Sequence, residues 1–400
     1  LQNRRRTGFY RLPRFIELCF FCFQCGIYTV AEFTDLRSHG FHFHAVVNGA
    51  FFRKNFRDPN PDRLIHRSEE FFQHQDDYPY DFADVKGQEN VKRALEVAAA
   101  GGHNLIMIGA PGSGKSMMAK RLPSILPPLS LGESLETTKI HSVAGKLSKN
   151  DSLIAIRPFR SPHHTISQVA MVGGGTNPQP GEISLAHNGL LFLDELPEFN
   201  RSVLEVLRQP LEDRHISISR AKYSLDYPAS FMLVASMNPC PCGYYNHPTK
   251  ACVCNPGQVH RYLNRISGPL LDRIDIQIEI VPVPFEKISE QTQSESSATI
   301  RERVIKARKI QELRFANHPG IYCNAQMESQ LLHQYAEPDE KGLALLRTAM
   351  TRLNLSARAY DRILKVARTI ADLEGSEHVQ SNHLAESISY RNLDREGWAG

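Results

Sequence analysis

The stretch GAPGSGKS, residues 109–116, decides the fold that this sequence predicts. It matches G-x-x-x-x-G-K-[ST], the pattern of a phosphate-binding loop. Its flanks match the context that the pattern requires: an apolar run at residues 105–108 precedes the loop, and residues 117–122 continue as a helix. Strand, glycine-rich loop and helix in this order predict an α/β fold with a nucleotide bound at the loop.

The loop residues contribute to phosphate binding in different ways. Glycines let the backbone curl so that successive N–H groups point at phosphate oxygens, and the helix that follows adds its positive end. The lysine is expected to reach the β- and γ-phosphates, and the serine after it to hold Mg²⁺. The residues expected to bind nucleotide here are Gly109, Gly112, Ser113, Gly114, Lys115 and Ser116.

Polar side chains follow two further apolar runs. Residues 190–193 suit a buried parallel strand and end at Asp194 and Glu195, roughly 80 residues beyond the loop. We expect Asp194 to act on the Mg²⁺ shell and Glu195 to polarise the attacking water. Residues 231–235 lead to Asn238, which is expected to orient that water or contact the γ-phosphate, with a turn cap as the alternative.

In residues 274–280, isoleucines alternate with Asp275, Gln277 and Glu279. This period of two predicts a strand with one apolar face and one solvated face. Arg273 directly precedes the strand. In ring ATPases an arginine at this place is presented to the γ-phosphate of the neighbouring subunit, so Arg273 is the expected trans-acting residue. Arg265 is the competing candidate.

A helix is predicted in LSARAYDRILKVARTIADL, residues 355–373, because its apolar residues recur on one face. Arg358 lies near the start of this helix and off that face. The apolar residues are Tyr360, Ile363, Leu364, Ala367, Ile370 and Ala371.

Several longer stretches resemble the magnesium-chelatase-like branch of AAA+ ATPases, and most closely its ComM/YifB family. The resemblance covers about four-fifths of the chain, residues 78–394. Besides the phosphate loop, it is carried by DFADVKGQ at 81–88, RPFRSPHHT at 157–165, PGEISLAHNGLLFLDELPEF at 180–199, NPCPCGYYNHPTKACVC at 238–254 and ISGPLLDRIDI at 266–276.

The resemblance implies an AAA+ core with a parallel five-stranded sheet, a C-terminal helical lid and a ring of six identical subunits with ATP and Mg²⁺ at each interface. It assigns Lys115 and Ser116 to the phosphate-binding motif, and Asp194 and Glu195 to the metal and water pair. Asn238, Arg273 and Arg358 then match the first sensor, the trans-acting finger and the second sensor.

The resemblance also implies Mg²⁺-dependent ATP hydrolysis by a motor that translocates DNA or drives branch migration in recombination or natural transformation. The alternative is a chelatase-type ATPase that remodels a protein partner during metal insertion into a tetrapyrrole. A third interpretation, a nucleotide-gated interaction protein without turnover, is disfavoured by the intact Asp194 and Glu195 pair.

The sequence divides into an N-terminal segment at 1–75, an ATPase core at 76–283 and a helical lid at 284–400. Insertions at 141–186 and 214–230 are expected either to line a pore that grips the DNA backbone, or to be ordinary solvated loops. The side chains expected to contact DNA are Arg157, Arg160, His163, His164, Arg220 and Lys222.

Four cysteines lie in the loop 240–254, in a pattern of C-x-C, nine residues and C-x-C. Four thiolates around a short loop suit tetrahedral Zn²⁺. Reduced thiols or a redox pair are the alternatives, and His247 is a substitute ligand. We do not expect the adjacent His163 and His164 to share a metal ion. The cysteines concerned are Cys240, Cys242, Cys252 and Cys254.

Composition sets further bounds. With 41% hydrophobic and 22% charged residues, the chain is not mostly disordered, collagenous or a multi-span membrane protein. Residues 15–30 are too short and too polar for a membrane span, and we expect a cytoplasmic protein. The net charge of +4 comes entirely from residues 1–75, so it says nothing about a polyanionic partner for the remainder.

The segment at 1–75 departs from the resemblance, which implies an N-terminal domain similar to the S5-type fold of Lon proteases. Its residues show none of that pattern. We expect the product of a misplaced start or a shifted reading frame, with a divergent replacement as the alternative. ATP hydrolysis is then expected to survive, while DNA work or assembly is compromised.

Overall fold

The structure is a computed structural model that describes residues 78–147, 153–175, 179–220, 223–283, 294–353 and 355–391. The segment at 1–75 lies outside the described residues, as does the tip of the second predicted insertion at 221–222. None of the helices in these ranges has both the length and the apolar character needed to cross a membrane.

A parallel five-stranded sheet lies at the centre of the described residues, as the sequence predicts. Its spatial order is β2-β5-β8-β1-β9, and all its neighbouring strands run parallel. Parallel pairing places the carboxyl ends of these strands at one edge. The strands are β1 (Leu105–Gly109), β2 (Phe159–Arg160), β3 (Gly173–Gly174), β4 (Gln179–Pro180), β5 (Leu190–Leu193), β6 (His215–Arg220), β7 (Tyr223–Pro228), β8 (Met232–Met237) and β9 (Ile276–Ile280).

Two antiparallel pairs lie outside the central sheet in the described part of the chain. Strand β3 pairs with β4 through a two-residue ladder, and β6 pairs with β7 over six residues. The first pair lies within residues 141–186 and the second within 214–230, the two segments predicted as insertions. The role of these segments and the domain boundaries stay predictions.

Nine α-helices lie among these strands, in the described residues before 283. The first ends at Gly101, and Gly102 after it adopts the left-handed conformation that commonly ends a helix, with φ of 69°. These helices are α1 (Glu89–Gly101), α2 (Lys115–Arg121), α3 (Leu131–Val143), α4 (Gln168–Val172), α5 (Glu182–Leu185), α6 (Arg201–Glu205), α7 (Arg208–Asp213), α8 (Pro256–Leu263) and α9 (Gly268–Leu271).

Alternate residues of the central strands enter two separate apolar clusters. Leu105 and Met107 of β1 pack in one cluster, together with apolar residues of α1. Ile106 and Ile108 pack in the other. Successive side chains of a strand point to opposite faces, so these two clusters cover both faces of the sheet. This is why β1 and β5 have uninterrupted apolar sequences.

The C-terminal region is helical, as predicted. The predicted apolar face lies on α13, where Ile363, Leu364 and Ala367 are buried in a third cluster and Tyr360 packs against it partly buried. The helices are α10 (Ser297–Arg314), α11 (Ser329–Tyr335), α12 (Glu340–Arg352), α13 (Ala357–Leu373) and α14 (Ser381–Ser389).

The prediction of a solvated face on the strand at 274–280 is wrong for two of the three polar residues of this segment. Asp275 and Gln277 are 1% and 0% exposed, and only Glu279 faces solvent. The helical region covers this strand in two ways: the Gln277 N–H donates along the sheet edge to the Tyr390 carbonyl at 2.8 Å, and the Asp275 side chain pairs with Arg362. The local pattern gave no sign of this cover, because the covering residues come from far along the chain.

A buried polar network joins the sheet to α13. The Asp275 carboxylate lies 3.0 Å from Arg362 Nη1 and 3.2 Å from His103 Nδ1. His103 Nε2 lies 2.8 Å from the Thr369 hydroxyl, which is also on α13. Burial alone would raise the pKa of Asp275, but the Arg362 charge and the His103 hydrogen bond hold that pKa below its ordinary value.

We predict that Asp275→Ala lowers the free energy of unfolding by about 3–5 kcal/mol, because it leaves Arg362 and His103 without their shared carboxylate. Urea unfolding followed by circular dichroism measures this change. The matched control is Asp226→Ala at an exposed position on β7, which is expected to change stability by less than about 0.5 kcal/mol. Equal effects of the two substitutions would contradict the role of the network.

Candidate nucleotide-binding site

The phosphate-binding loop connects β1 to α2 at the carboxyl edge of the sheet. Gly112 and Gly114 have φ of 79° and 95°, a left-handed conformation that glycine adopts without strain. A Cβ on Gly109 would lie 2.6 Å from the Ile280 carbonyl and 2.7 Å from Ser113 Oγ. These glycines are therefore required by the backbone path of the loop.

The Lys115 ammonium lies across the loop and reaches the next strand of the sheet. Its Nζ donates to the carbonyls of Gly109 at 2.7 Å and Ala110 at 3.0 Å, and to Asn238 Oδ1 at 3.1 Å. Burial lowers the pKa of Lys115, and the carboxylates of Asp194 and Glu195 act in the opposite direction. The structure thus brings together a cation from α2 and an amide that follows β8.

The Asp194 carboxylate is bound by two hydroxyls from different elements. Ser116 Oγ at the start of α2 donates to Oδ2 at 2.7 Å, and Ser236 Oγ of β8 donates to Oδ1. Hydroxyl and carboxylate oxygens are the ligands that Mg²⁺ prefers, so this cluster fits the predicted magnesium site. Ser236 was not singled out from the sequence, where its only signal is its position two residues before Asn238.

Glu195 lies beside Asp194 but is oriented differently. Its φ is 56°, which is uncommon for a residue other than glycine, and its side chain is 56% exposed. His164 Nδ1 lies 3.6 Å from Glu195 Oε2. The sequence placed His164 in a DNA-contacting insertion, and only the adjacency of β2 and β5 brings it to this carboxylate.

The predicted trans-acting arginine is turned into its own chain. Arg273 is 7% exposed, and its guanidinium contacts Glu212 Oε1 at 2.5 Å and the Pro269 carbonyl at 2.6 Å. Arg265, the competing candidate, has a side chain that is 53% exposed and pairs with Glu198 at 2.8 Å. In the single chain, Arg265 is exposed to solvent and Arg273 is buried. The assignment of Arg273 as the trans-acting residue therefore stays a prediction about the assembled protein.

Arg358 lies on the surface at the start of α13. Its side chain is 65% exposed, and Nη1 contacts Asp272 Oδ2 at 3.3 Å. Asp272 is the residue directly before Arg273. The structure therefore places the predicted second sensor next to the predicted finger rather than beside Lys115, and its role stays a prediction.

Two of the arginines expected to contact DNA have partners within the chain. Arg157 bonds Glu133 Oε1 at 3.0 Å and the Asn188 carbonyl at 2.7 Å, with 14% of its side chain exposed. Arg160 forms a bidentate pair with Glu182 at 2.7 and 2.8 Å. These charges are already neutralised, so the expectation that they grip a phosphate backbone is not supported by their geometry.

The four cysteines of loop 240–254 converge on one point. Their sulfur atoms all lie within 4.8 Å of one another. His247, the substitute ligand suggested by the sequence, has another role: its Nδ1 accepts hydrogen bonds from the backbone N–H groups of Thr249 and Lys250. The cluster is formed by Cys240, Cys242, Cys252 and Cys254.

Fold and site together define a P-loop protein with the fold of the AAA+ class, since a phosphate loop and an acidic pair meet at the carboxyl edge of a parallel sheet. The family model of magnesium chelatase subunit ChlI matches residues 81–288, and the model of its C-terminal part matches residues 294–391. The chain belongs to this magnesium-chelatase-like family.

Individual relatives agree with this assignment. The protein YifB of Salmonella typhimurium is 50% identical over 321 residues, and the match covers 79% of this chain and 61% of YifB. Competence protein ComM of Haemophilus influenzae is 47% identical over 316 residues, covering 79% and 60%. The magnesium-chelatase 38 kDa subunit of Cereibacter sphaeroides is 23% identical over 177 residues, covering 40% and 53%. The chain thus spans about three-fifths of the length of YifB and ComM.

Proposed function

We propose that this chain hydrolyses ATP with Mg²⁺ as a subunit of a homo-hexameric ring, and that turnover moves DNA. The observation that carries the ATPase proposal is the meeting of Lys115, Ser116, Asp194 and Asn238 at the ends of neighbouring strands. A cation, a hydroxyl, a carboxylate and an amide in this arrangement suit a triphosphate and its metal ion.

In the proposed reaction, each side chain acts on a different part of the nucleotide. Lys115 binds the β- and γ-phosphates, and Ser116 and Asp194 hold Mg²⁺, which neutralises charge on the phosphate oxygens. Glu195 orients and polarises the attacking water, and Asn238 helps to position it. We also propose that the four clustered cysteines are ligands of one Zn²⁺ ion, because the spacing of their sulfur atoms suits a tetrahedral site.

We predict different defects for two substitutions at this site. Lys115→Ala is expected to abolish binding of a fluorescent ATP analogue, because it removes the cation that faces the phosphates. Glu195→Gln is expected to retain binding but to lower the hydrolysis rate by about 10²–10⁴-fold, since it removes the general base. The control is Glu302→Gln, at an exposed position on α10. Turnover of Glu195→Gln at the wild-type rate would show that another group is the base.

For the ring, we propose that Arg273 exchanges Glu212 for the γ-phosphate of a neighbouring subunit on assembly. Glu212 is 54% exposed, so the pair lies near enough to the surface for this exchange. Arg265 is the alternative donor because it is already exposed. A trans-acting arginine is supplied by one subunit to the site of another, which mixed assemblies test directly.

We predict that Arg273→Ala alone has low ATPase activity, and that mixing it with Lys115→Ala restores part of it. The Lys115→Ala subunit has an inactive site but can lend Arg273 to the intact site of its neighbour. The measurement is the ATPase rate of each variant and of the mixture at equal total protein. Mixtures with Arg265→Ala serve as the comparison: restoration there, and not with Arg273→Ala, would assign the finger to Arg265.

The proposal of DNA as the partner is supported by the resemblance to the ComM/YifB family and by 47% identity to a protein named for competence. The basic residues that remain candidates for the contact are Arg220, the last residue of β6, and Lys222. Lys222 lies outside the described residues. The competing proposal, a chelatase-type partner, is favoured by the matching family models.

We predict that single-stranded or branched DNA raises the ATPase rate, and that this stimulation falls as salt concentration rises, because phosphate contacts release counterions. The rate measured against protein concentration should also rise steeply where subunits associate. Stimulation by a chelatase partner protein but not by DNA would overturn the DNA proposal and leave the ATPase proposal intact. A full rate in a strictly monomeric preparation would contradict the ring.

A further inference from the structure

The cysteine loop, defined as residues 240–254, lies against the phosphate-binding loop. It begins two residues after Asn238 and turns back on itself, with the Gly243 N–H donating to the Cys240 carbonyl at 3.0 Å. A Cβ on Gly243 would lie only 2.4 Å from Cδ of Pro111, and the φ of Gly243 is +84°. Pro111 belongs to the phosphate-binding loop, so the backbone of the cysteine loop at Gly243 packs directly on the ring of Pro111.

The sulfur positions suit a single tetrahedral ion. Cys240 Sγ lies 3.3 Å from Cys242 Sγ and 3.7 Å from Cys252 Sγ, and the latter two are 3.6 Å apart. Four thiolates bound to zinc at about 2.3 Å lie about 3.8 Å from one another in a tetrahedron. Cys254 completes the set within 4.8 Å. The spacing therefore fits Zn²⁺ with four thiolate ligands.

The loop has no helix or strand between residues 240 and 254. Its shape consequently depends on turns and on the cysteine cluster rather than on a ladder of backbone hydrogen bonds. Cys240 is fully buried, whereas the other three cysteines are partly exposed. A metal ion that joins them would fix the outer part of the loop to its buried first residue.

Two contacts connect this loop to the nucleotide site. Upstream, Asn238 accepts a hydrogen bond from Lys115 Nζ at 3.1 Å. Downstream, Gly243 presses on Pro111. A rigid cysteine cluster therefore restricts the movement of Asn238, which contacts Lys115, and of Gly243, which packs against the phosphate-binding loop at Pro111.

We propose that the cysteine loop binds one Zn²⁺ ion and that the closed loop braces the phosphate-binding loop and Asn238 for nucleotide binding. The four thiols release their protons as the thiolates coordinate the ion, with no change of oxidation state. The bracing effect rests on the proposed binding of ATP, whereas the zinc site stands without it. The cysteines and Gly243 are positioning residues in this proposal.

Metal analysis of the full chain tests the zinc site. We expect one zinc per chain, and its loss in the double variant Cys242→Ser and Cys252→Ser. The matched control is Cys323→Ala, because Cys323 is also buried but lies beside Gly102, outside the cysteine loop. This variant should contain as much zinc as the wild-type protein. Replacement of zinc by Co²⁺ should give the absorption of a tetrahedral thiolate site. Metal-free protein with four reduced thiols, or with a disulfide among them, would overturn the zinc site.

A pair of glycine variants tests the brace. Gly243→Ala leaves every cysteine in place but puts a methyl group against Pro111, so zinc content should be unchanged while the Kd for a fluorescent ATP analogue rises roughly tenfold. The control is Gly257→Ala on α8, whose Cβ would lie 3.6 Å from Asn255 Oδ1, an ordinary contact. It should change neither zinc content nor Kd.

Chelation of the wild-type protein gives a second measurement that does not depend on how Gly243→Ala folds. Zinc removal should weaken ATP binding, and added Zn²⁺ should restore it. Unchanged ATP affinity in both zinc-loaded Gly243→Ala and zinc-free wild-type protein would overturn the brace. Failure of the zinc-loaded wild-type protein to bind ATP would instead refute the proposed ATPase function, with the zinc content still read independently.

Discussion

The Asp194 carboxylate connects three elements at one edge of the sheet, and the geometry of the site depends on this junction. Its two oxygens accept hydrogen bonds from Ser116 on α2 and Ser236 on β8, while Asp194 itself follows β5. The parallel register of β1, β8 and β5 brings these side chains together. A slip of one residue between β5 and β8 would separate Asp194 from Ser236, so the strand register sets the arrangement of the site.

The fold was predictable where a local pattern reflects a local cause. Residues 105–108 and 190–193 read as uninterrupted apolar runs because both faces of their strands are covered. The phosphate loop, the acidic pair and Asn238 each follow an apolar run in the sequence, and they meet at the carboxyl edge because parallel strands end together.

The rest of the site depends on contacts between distant residues, which no local pattern records. Arg273 was predicted to act on a neighbouring subunit, and in the single chain it pairs with Glu212. Arg157 read as a DNA contact, but Glu133 binds it. His164 reaches Glu195 only because β2 pairs with β5. In each case the residue type was visible in the sequence, and the partner that decides its role was supplied by the topology.

The return of the chain onto β9 has a consequence for solubility. This strand is the last on its side of the sheet, and an uncovered edge strand offers unpaired backbone groups to other chains. Arg391 pairs in parallel with Gln277, and its guanidinium donates to the Ile274 carbonyl at 2.6 Å. These contacts occupy the outer edge of the sheet at the start of β9. They therefore protect the sheet against aggregation through the addition of a strand from another chain.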